Sequence, residues 1–193
     1  MTIKPLRSID DHDIVPFFAL DRTGLKGQLV SIVSSSSGYY STQQLGLFSN
    51  LSTFPNVAYS PRWEVKSKVT PTASGTKPFG ITLFDTRSTN EWSEQYIYDP
   101  IRAKERQICL SGEGVPIARK GEFLYGPLPT GTNPAVNSYL VCNVAGDIAF
   151  STLPTGTWQT INGTGIPYNL PTFGQTLGVK DENGYVVIDL NCY

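Results

Sequence analysis

Phe79-Gly80-Ile81-Thr82-Leu83 returns as Phe173-Gly174-Gln175-Thr176-Leu177, and Lys26-Gly27-Gln28-Leu29 returns as Lys120-Gly121-Glu122-Phe123. Both pairs are offset by 94 residues, and the shared offset constrains the fold more tightly than either match alone. It predicts a chain built from two similar β units, each opening with a Lys-Gly strand and closing near a Phe-Gly strand. A glycine inside a strand weakens it unless it marks a bulge or a close approach of two backbones. These glycines are therefore read as architectural and not as a ligand loop.

The rest of the chain agrees with an all-β reading. Leu25 to Val33 and Phe79 to Phe84 carry strand patterns, and Trp63 to Val69 alternates apolar and polar with period two. Strand signals resume at Gln107 to Leu110, Val115 to Ala118, Glu122 to Tyr125, Tyr139 to Asn143 and Asp147 to Ser151. Leu177 to Lys180 and Tyr185 to Leu190 flank Asp181-Glu182-Asn183-Gly184, where Asn-Gly suits the positive φ of a tight hairpin turn. Residues 85–108 differ: charge is concentrated there, and Pro100 can start a short helix through Arg102 to Arg106. The expectation is a small barrel or sandwich with an extended N-terminal arm at 1–20. A first β half follows at 21–110 with a charged surface excursion near 85–108, and a second at 111–193.

Composition narrows the function. The 193 residues suit one domain or two lobes sharing a core, and only 16% are charged, against about 25% in typical soluble domains. Ser, Thr, Asn, Gln, Gly and Pro replace the missing charge, leaving wide neutral surfaces for packing against partners. Fifteen basic and sixteen acidic residues are spread along the chain, unlike the basic stripe of a nucleic-acid binder. No apolar run approaches the length that spans a bilayer, and the N-terminus lacks a signal-peptide pattern, so synthesis and use in a cytoplasm are expected. Cys109, Cys142 and Cys192 are odd in number and widely spaced, which points to reduced, partly buried thiols and not to zinc or disulfides.

Searching for chemistry yields little. The one histidine, His12, lies in Asp10-Asp11-His12-Asp13 on the expected arm, where a triad or metal site would be poorly preorganised. No phosphate-cradling glycine motif occurs, and Ser111-Gly112-Glu113-Gly114 reads as a turn. Glu91, Glu94, Asp99 and Glu113 come nearest to a carboxylate cluster, yet a charged surface segment accounts for them. The sequons Asn50-Leu51-Ser52 and Asn162-Gly163-Thr164 matter only in a secreted eukaryotic protein. Trp63, Trp92, Trp158 and ten tyrosines are core or interface anchors, or a platform for sugars. No enzyme, cofactor or metal is expected.

Ser111-Gly112-Glu113-Gly114-Val115-Pro116-Ile117-Ala118-Arg119-Lys120-Gly121, preceded by a Phe-Gly-Ile-Thr-Leu strand and Asn90-Glu91-Trp92, resembles small β proteins of tailed-phage virions. With Asp147-Ile148-Ala149-Phe150 and the terminal hairpin, residues 79–190 look like capsid decoration (cement) proteins. The resemblance implies a structural protein on the outer capsid surface, bound where major capsid protein subunits meet and stabilising the assembled state by mass action. It transfers no binding residue. An arm ordering on a neighbour would use Ile3, Pro5, Leu6 and Ile14 as contacts, and a homotrimer or dimer is expected. A tail, neck or fibre-attachment component needs the same architecture. A carbohydrate-binding module would instead use the aromatic residues.

Overall fold

The computed structural model describes residues 2–6, 13–20, 24–33, 40–44, 63–65, 67–96, 99–110, 112–143, 146–152, 159–161, 164–166 and 171–193. The described strands are β1 (Thr2–Pro5), β2 (Ile14–Leu20), β3 (Leu29–Ile32), β4 (Tyr40–Gln44), β5 (Trp63–Val65), β6 (Lys68–Pro71), β7 (Gly80–Thr82) and β8 (Asp85–Thr86). After the helix α1 (Pro100–Glu105) come β9 (Ile108–Cys109), β10 (Gly114–Ala118), β11 (Lys120–Gly126), β12 (Tyr139–Cys142) and β13 (Ile148–Ser151). The last are β14 (Gln159–Ile161), β15 (Thr164–Ile166), β16 (Gly174–Thr176) and β17 (Val186–Asn191). The chain is all-β, with a closed five-stranded barrel in the order β10-β2-β6-β3-β7 and a six-stranded sheet β1-β11-β17-β16-β12-β13.

These two bodies repeat one plan. Read as β6-β3-β7-β10-β2, the barrel matches β13-β12-β16-β17-β11 of the sheet, strand for strand. Every neighbouring pair within either series is antiparallel. The barrel closes because β2 also pairs parallel with β6, through Ala19↔Lys68 and Leu20↔Val69. In the sheet, β1 takes the outer side of β11 instead, and β13 ends the order. The repeat divides at Arg119, between β10 and β11, and not at residues 110 and 111.

Half of the predicted echo marks this repeat. Gly80 and Gly174 are equivalent: an added Cβ would lie 2.6 Å from the Ala118 carbonyl oxygen in one and 2.1 Å from that of Asp189 in the other. The Lys-Gly match is not structural. The counterpart of Gly27 is Asn137, and both take positive φ in the turn before β3 or β12. Gly121 lies inside β11, whose counterpart is β2.

Alternation along the strands explains how barrel and sheet share a core. Neighbouring residues point to opposite faces of a strand. Val30, Val69, Val115, Ile117 and Leu20 join one cluster inside the barrel, while Leu29, Ile81 and Ala118 join another with Phe123, Leu140, Phe173, Ile188 and Leu190. β3 and β10 bury apolar residues on both faces for this reason, whereas β17 buries Val186, Ile188 and Leu190 and leaves Val187 and Asp189 half-covered.

The expected arm at 1–20 needs correction. Its described parts are integral strands: β1 on β11 and β2 in the barrel. Ile3 is 3% exposed within the shared core, and Ile14, half-buried, pairs with Ala118. Of the four contacts expected on the arm, only Pro5 and Leu6 present exposed side chains, so Ile3 is a core residue and no surface contact. The branched and aromatic content of Ile14 to Leu20 outweighs Pro16, which sits where the β2–β10 register shifts. The single strand expected across Trp63 to Val69 is two, β5 pairing with β4 and β6 with β3. The strand expected from Leu25 begins only at Leu29, after the Lys26-Gly27 turn.

Between β7 and β10 the chain makes its excursion, where the other unit connects β16 to β17 by a hairpin. In that hairpin the Gly184 N–H donates to the Asp181 carbonyl, and the Asp181 N–H to the Tyr185 carbonyl. Gly184 alone among these residues takes positive φ, a turn closed by a glycine bulge. The excursion instead contains β8, α1 and β9. Asp99 caps α1 by accepting from the Arg102 N–H at 3.2 Å, and Pro100 opens it.

Candidate functional site

Arg119 occupies the link between the two units, and its main chain is held from both sides. Its N–H donates to the Asp13 carbonyl at 2.8 Å, and its carbonyl accepts from the Cys192 N–H at 2.8 Å. Its guanidinium carbon lies 4.9 Å from the ring centroid of Phe79 and 4.2 Å from that of Tyr193. Phe79 is fixed in turn by an edge-on contact with Phe18, centroids 5.2 Å apart. The Tyr193 hydroxyl donates to Asp13 Oδ1 at 3.1 Å, and the Lys77 amine donates to the Tyr193 main-chain oxygen. Segments flanking strands of both units thus bring one cation over two aromatic rings.

This stack forms one wall of an open cleft of about 640 Å³. Ile32, Pro71 and Pro78 supply apolar lining, and Thr70, Thr76 and Lys77 supply polar lining. The Arg119 Nε is buried without a hydrogen-bond partner. Among the described residues no Asp or Glu side chain lies within ion-pair distance of Arg119 or Lys77. Asp13, the acidic group beside the stack, is engaged by Tyr193, and that hydrogen bond pushes the tyrosine hydroxyl above its usual range while the Arg119 charge pulls it back.

The residues singled out from sequence do not assemble here. His12, Asp10 and Asp11 lie outside the described residues, as do Asn50 to Ser52, Asn162, Gly163, Ser111, Trp158 and the Trp63 side chain. The four carboxylates near the excursion are each occupied structurally. Glu94 accepts from the Asn90 side-chain amide at 2.6 Å, and Glu113 from the Leu110 N–H at 2.9 Å. Asp99 caps α1, and Glu91 sits 4.0 Å from Arg106. Among the described residues no group of three or more His, Cys, Asp or Glu side chains could hold a metal ion. Burial pushes the Cys109 and Cys192 thiols up to about 12 and Cys142 up to about 11, so they are poor nucleophiles at neutral pH. No described helix is long and apolar enough to cross a membrane.

The excursion is the second candidate surface. Tyr96, Ala103, Ile108 and Leu110 form a small cluster of their own. The Arg106 guanidinium donates to the Tyr96 hydroxyl at 3.2 Å, and Arg102 bridges Asp99 at 3.3 Å. On this braced base Trp92 is 66% and Ile101 72% exposed. Trp92 was legible as an anchor candidate. Arg119, Phe79 and Tyr193 were not, because nothing in their spacing announces a stack assembled from three separate segments. Compared with protein-family models, with curated proteins and with solved structures, the chain finds no match.

Proposed function

We propose that this chain is a non-enzymatic structural protein that binds the outer surface of an assembled virus capsid and stabilises contacts between major capsid subunits. One observation carries the binding role: the braced excursion that holds Trp92 and Ile101 in solvent. The equivalent connection in the other unit is a tight turn, so the fold itself does not require this addition. Exposed large apolar side chains on a rigid base are what a protein interface buries, and tryptophan is over-represented among anchors. The capsid as partner rests on the resemblance carried by residues 111–121 and the terminal hairpin. In the fold, residues 112–121 form a turn, β10, the Arg119 link and the start of β11.

Quantitative mass spectrometry of purified particles, scaled to the major capsid protein, tests the reading. Hundreds of copies per particle are expected. A handful would move the chain to the tail or neck, and absence would overturn the virion role.

A further inference from the structure

We propose that the cleft beside Arg119 is a docking site for an acidic side chain of a partner protein. An arginine stacked over two rings keeps its planar donor edge in a fixed orientation, which suits bidentate pairing with a carboxylate. Here Arg119 is held by Phe79 and Tyr193, its backbone is pinned by Asp13 and Cys192, and Nε is buried without a partner. The described residues supply no Asp or Glu side chain to it within ion-pair distance, and Asp13 is already engaged by the Tyr193 hydroxyl. Nε is buried and stays out of reach, but the terminal guanidinium nitrogens are not buried with it. An incoming carboxylate pairs with them and neutralises a charge that no Asp or Glu side chain of the described residues meets.

The surroundings select a peptide over a small inorganic anion. The cleft is far larger than a phosphate and is walled by Pro71, Pro78 and Ile32, the last 48% exposed. Apolar side chains flanking a Glu or Asp would cover those walls while the carboxylate meets Arg119. The inference takes from the proposed function only that the partner is a protein; it is independent of which particle that protein builds.

The test uses the purified full chain labelled with ¹⁵N-arginine, followed by NMR at the Arg119 Nε–H. The probes are two mixtures of blocked heptapeptides, alike except for Glu or Gln at the centre, together with glucuronate and inorganic phosphate. The Glu mixture is expected to shift the Arg119 signal at least about tenfold more tightly than the Gln mixture, and less tightly as salt rises. Arg119→Gln should abolish binding as read by fluorescence anisotropy of labelled peptides. Because that variant also removes the stack, Ile32→Glu is the second arm: it places a competing carboxylate on an exposed wall and should weaken binding about tenfold with the melting temperature unchanged.

Equal shifts with Glu and Gln, equal affinity for phosphate or glucuronate, or no shift with any probe would each overturn the site. A null titration leaves particle copy number untouched. A chain absent from particles that still binds the Glu mixture overturns the virion reading alone.

Discussion

Thr82 and Thr176, 94 residues apart, make the same set of hydrogen bonds in the two units. Thr82 Oγ1 accepts from the Gln28 N–H at 3.1 Å and donates to the Leu25 carbonyl at 3.0 Å. Thr176 Oγ1 accepts from the Ser138 N–H at 2.9 Å and donates to the Ala135 carbonyl at 2.6 Å. Each hydroxyl ties down the turn that launches the neighbouring strand. The backbones agree as well: Thr82 donates to Gln28 and Thr176 to Ser138, while Leu83 donates to Pro116 and Leu177 to Val187.

Replacing either threonine by valine keeps the shape and removes the oxygen. Both residues are buried and valine removes both hydrogen bonds of the hydroxyl to its turn, so Thr82→Val and Thr176→Val should each cost about 1–3 kcal/mol in urea unfolding. Thr→Ser at the same sites should recover most of the loss. A valine variant as stable as the parent would show that the hydroxyl is not what holds the turn.

Gly174 and Gly178 separate the effects of space and of glycine itself. A Cβ at Gly174 meets the Asp189 carbonyl, a backbone atom that cannot swing away, whereas nothing lies within 4 Å of one at Gly178. Gly174→Ala should destabilise by about 1–3 kcal/mol through overpacking. Gly178→Ala should be neutral or gain a few tenths, up to about 1 kcal/mol, by restricting the unfolded chain. Thermal unfolding of the pair checks both signs.

The buried thiols set an alkaline limit. Their folded values of about 11 to 12 lie above the ordinary 9.0, so the folded chain retains protons that the unfolded chain releases as pH rises past 9. This contribution to stability is fully present below the unfolded value and is lost as pH rises from about 9 toward 12. The slope is at most about 1.4 kcal/mol per pH unit for each thiol. Tyr125, raised by burial, acts in the same direction above its own ordinary value of 10.0. Urea midpoints from neutral to alkaline pH should fall, and Cys192→Ala should flatten the decline even though its cavity lowers the starting stability. An unchanged slope would assign the loss to other groups.

Trp92 and Ile101 carry a prediction about the interface. Both are largely exposed, so Trp92→Ala with Ile101→Ala should change stability by no more than about 0.5 kcal/mol each. Association with particles lacking the protein should weaken by about 2 kcal/mol or more, measured by co-sedimentation. Full binding by the double variant would place the anchor elsewhere.

The all-β character, the short helix after Pro100 and the terminal hairpin were legible because each depends on contiguous residues: period-two burial, a proline at a helix start, a glycine in a turn. The Phe-Gly echo was legible for the same reason, since the close approach at the glycine and the buried hydroxyl two residues later both belong to one strand. The Lys-Gly echo misled because positive φ can be met by glycine or asparagine. Gly27 corresponds to Asn137, at φ 84° and 60°, and residue identity matched it to the wrong strand.

Pairing across the chain decided the rest. Local pattern over residues 1–20 could not tell an arm from strands. Ile3 becomes a core residue only when β11 lies beside it, and Ile14 is half-buried only through its place against β10. Closure of one unit and the open order of the other depend on whether β6 or β1 reaches the free side of the equivalent strand. The Arg119 stack has the same origin. Phe79, Arg119 and Tyr193 carry no mutual signal in sequence, and only the packing of the two units brings a cation over the two rings. Local patterns specify local geometry, while contacts between distant strands are set by the shared burial of both faces.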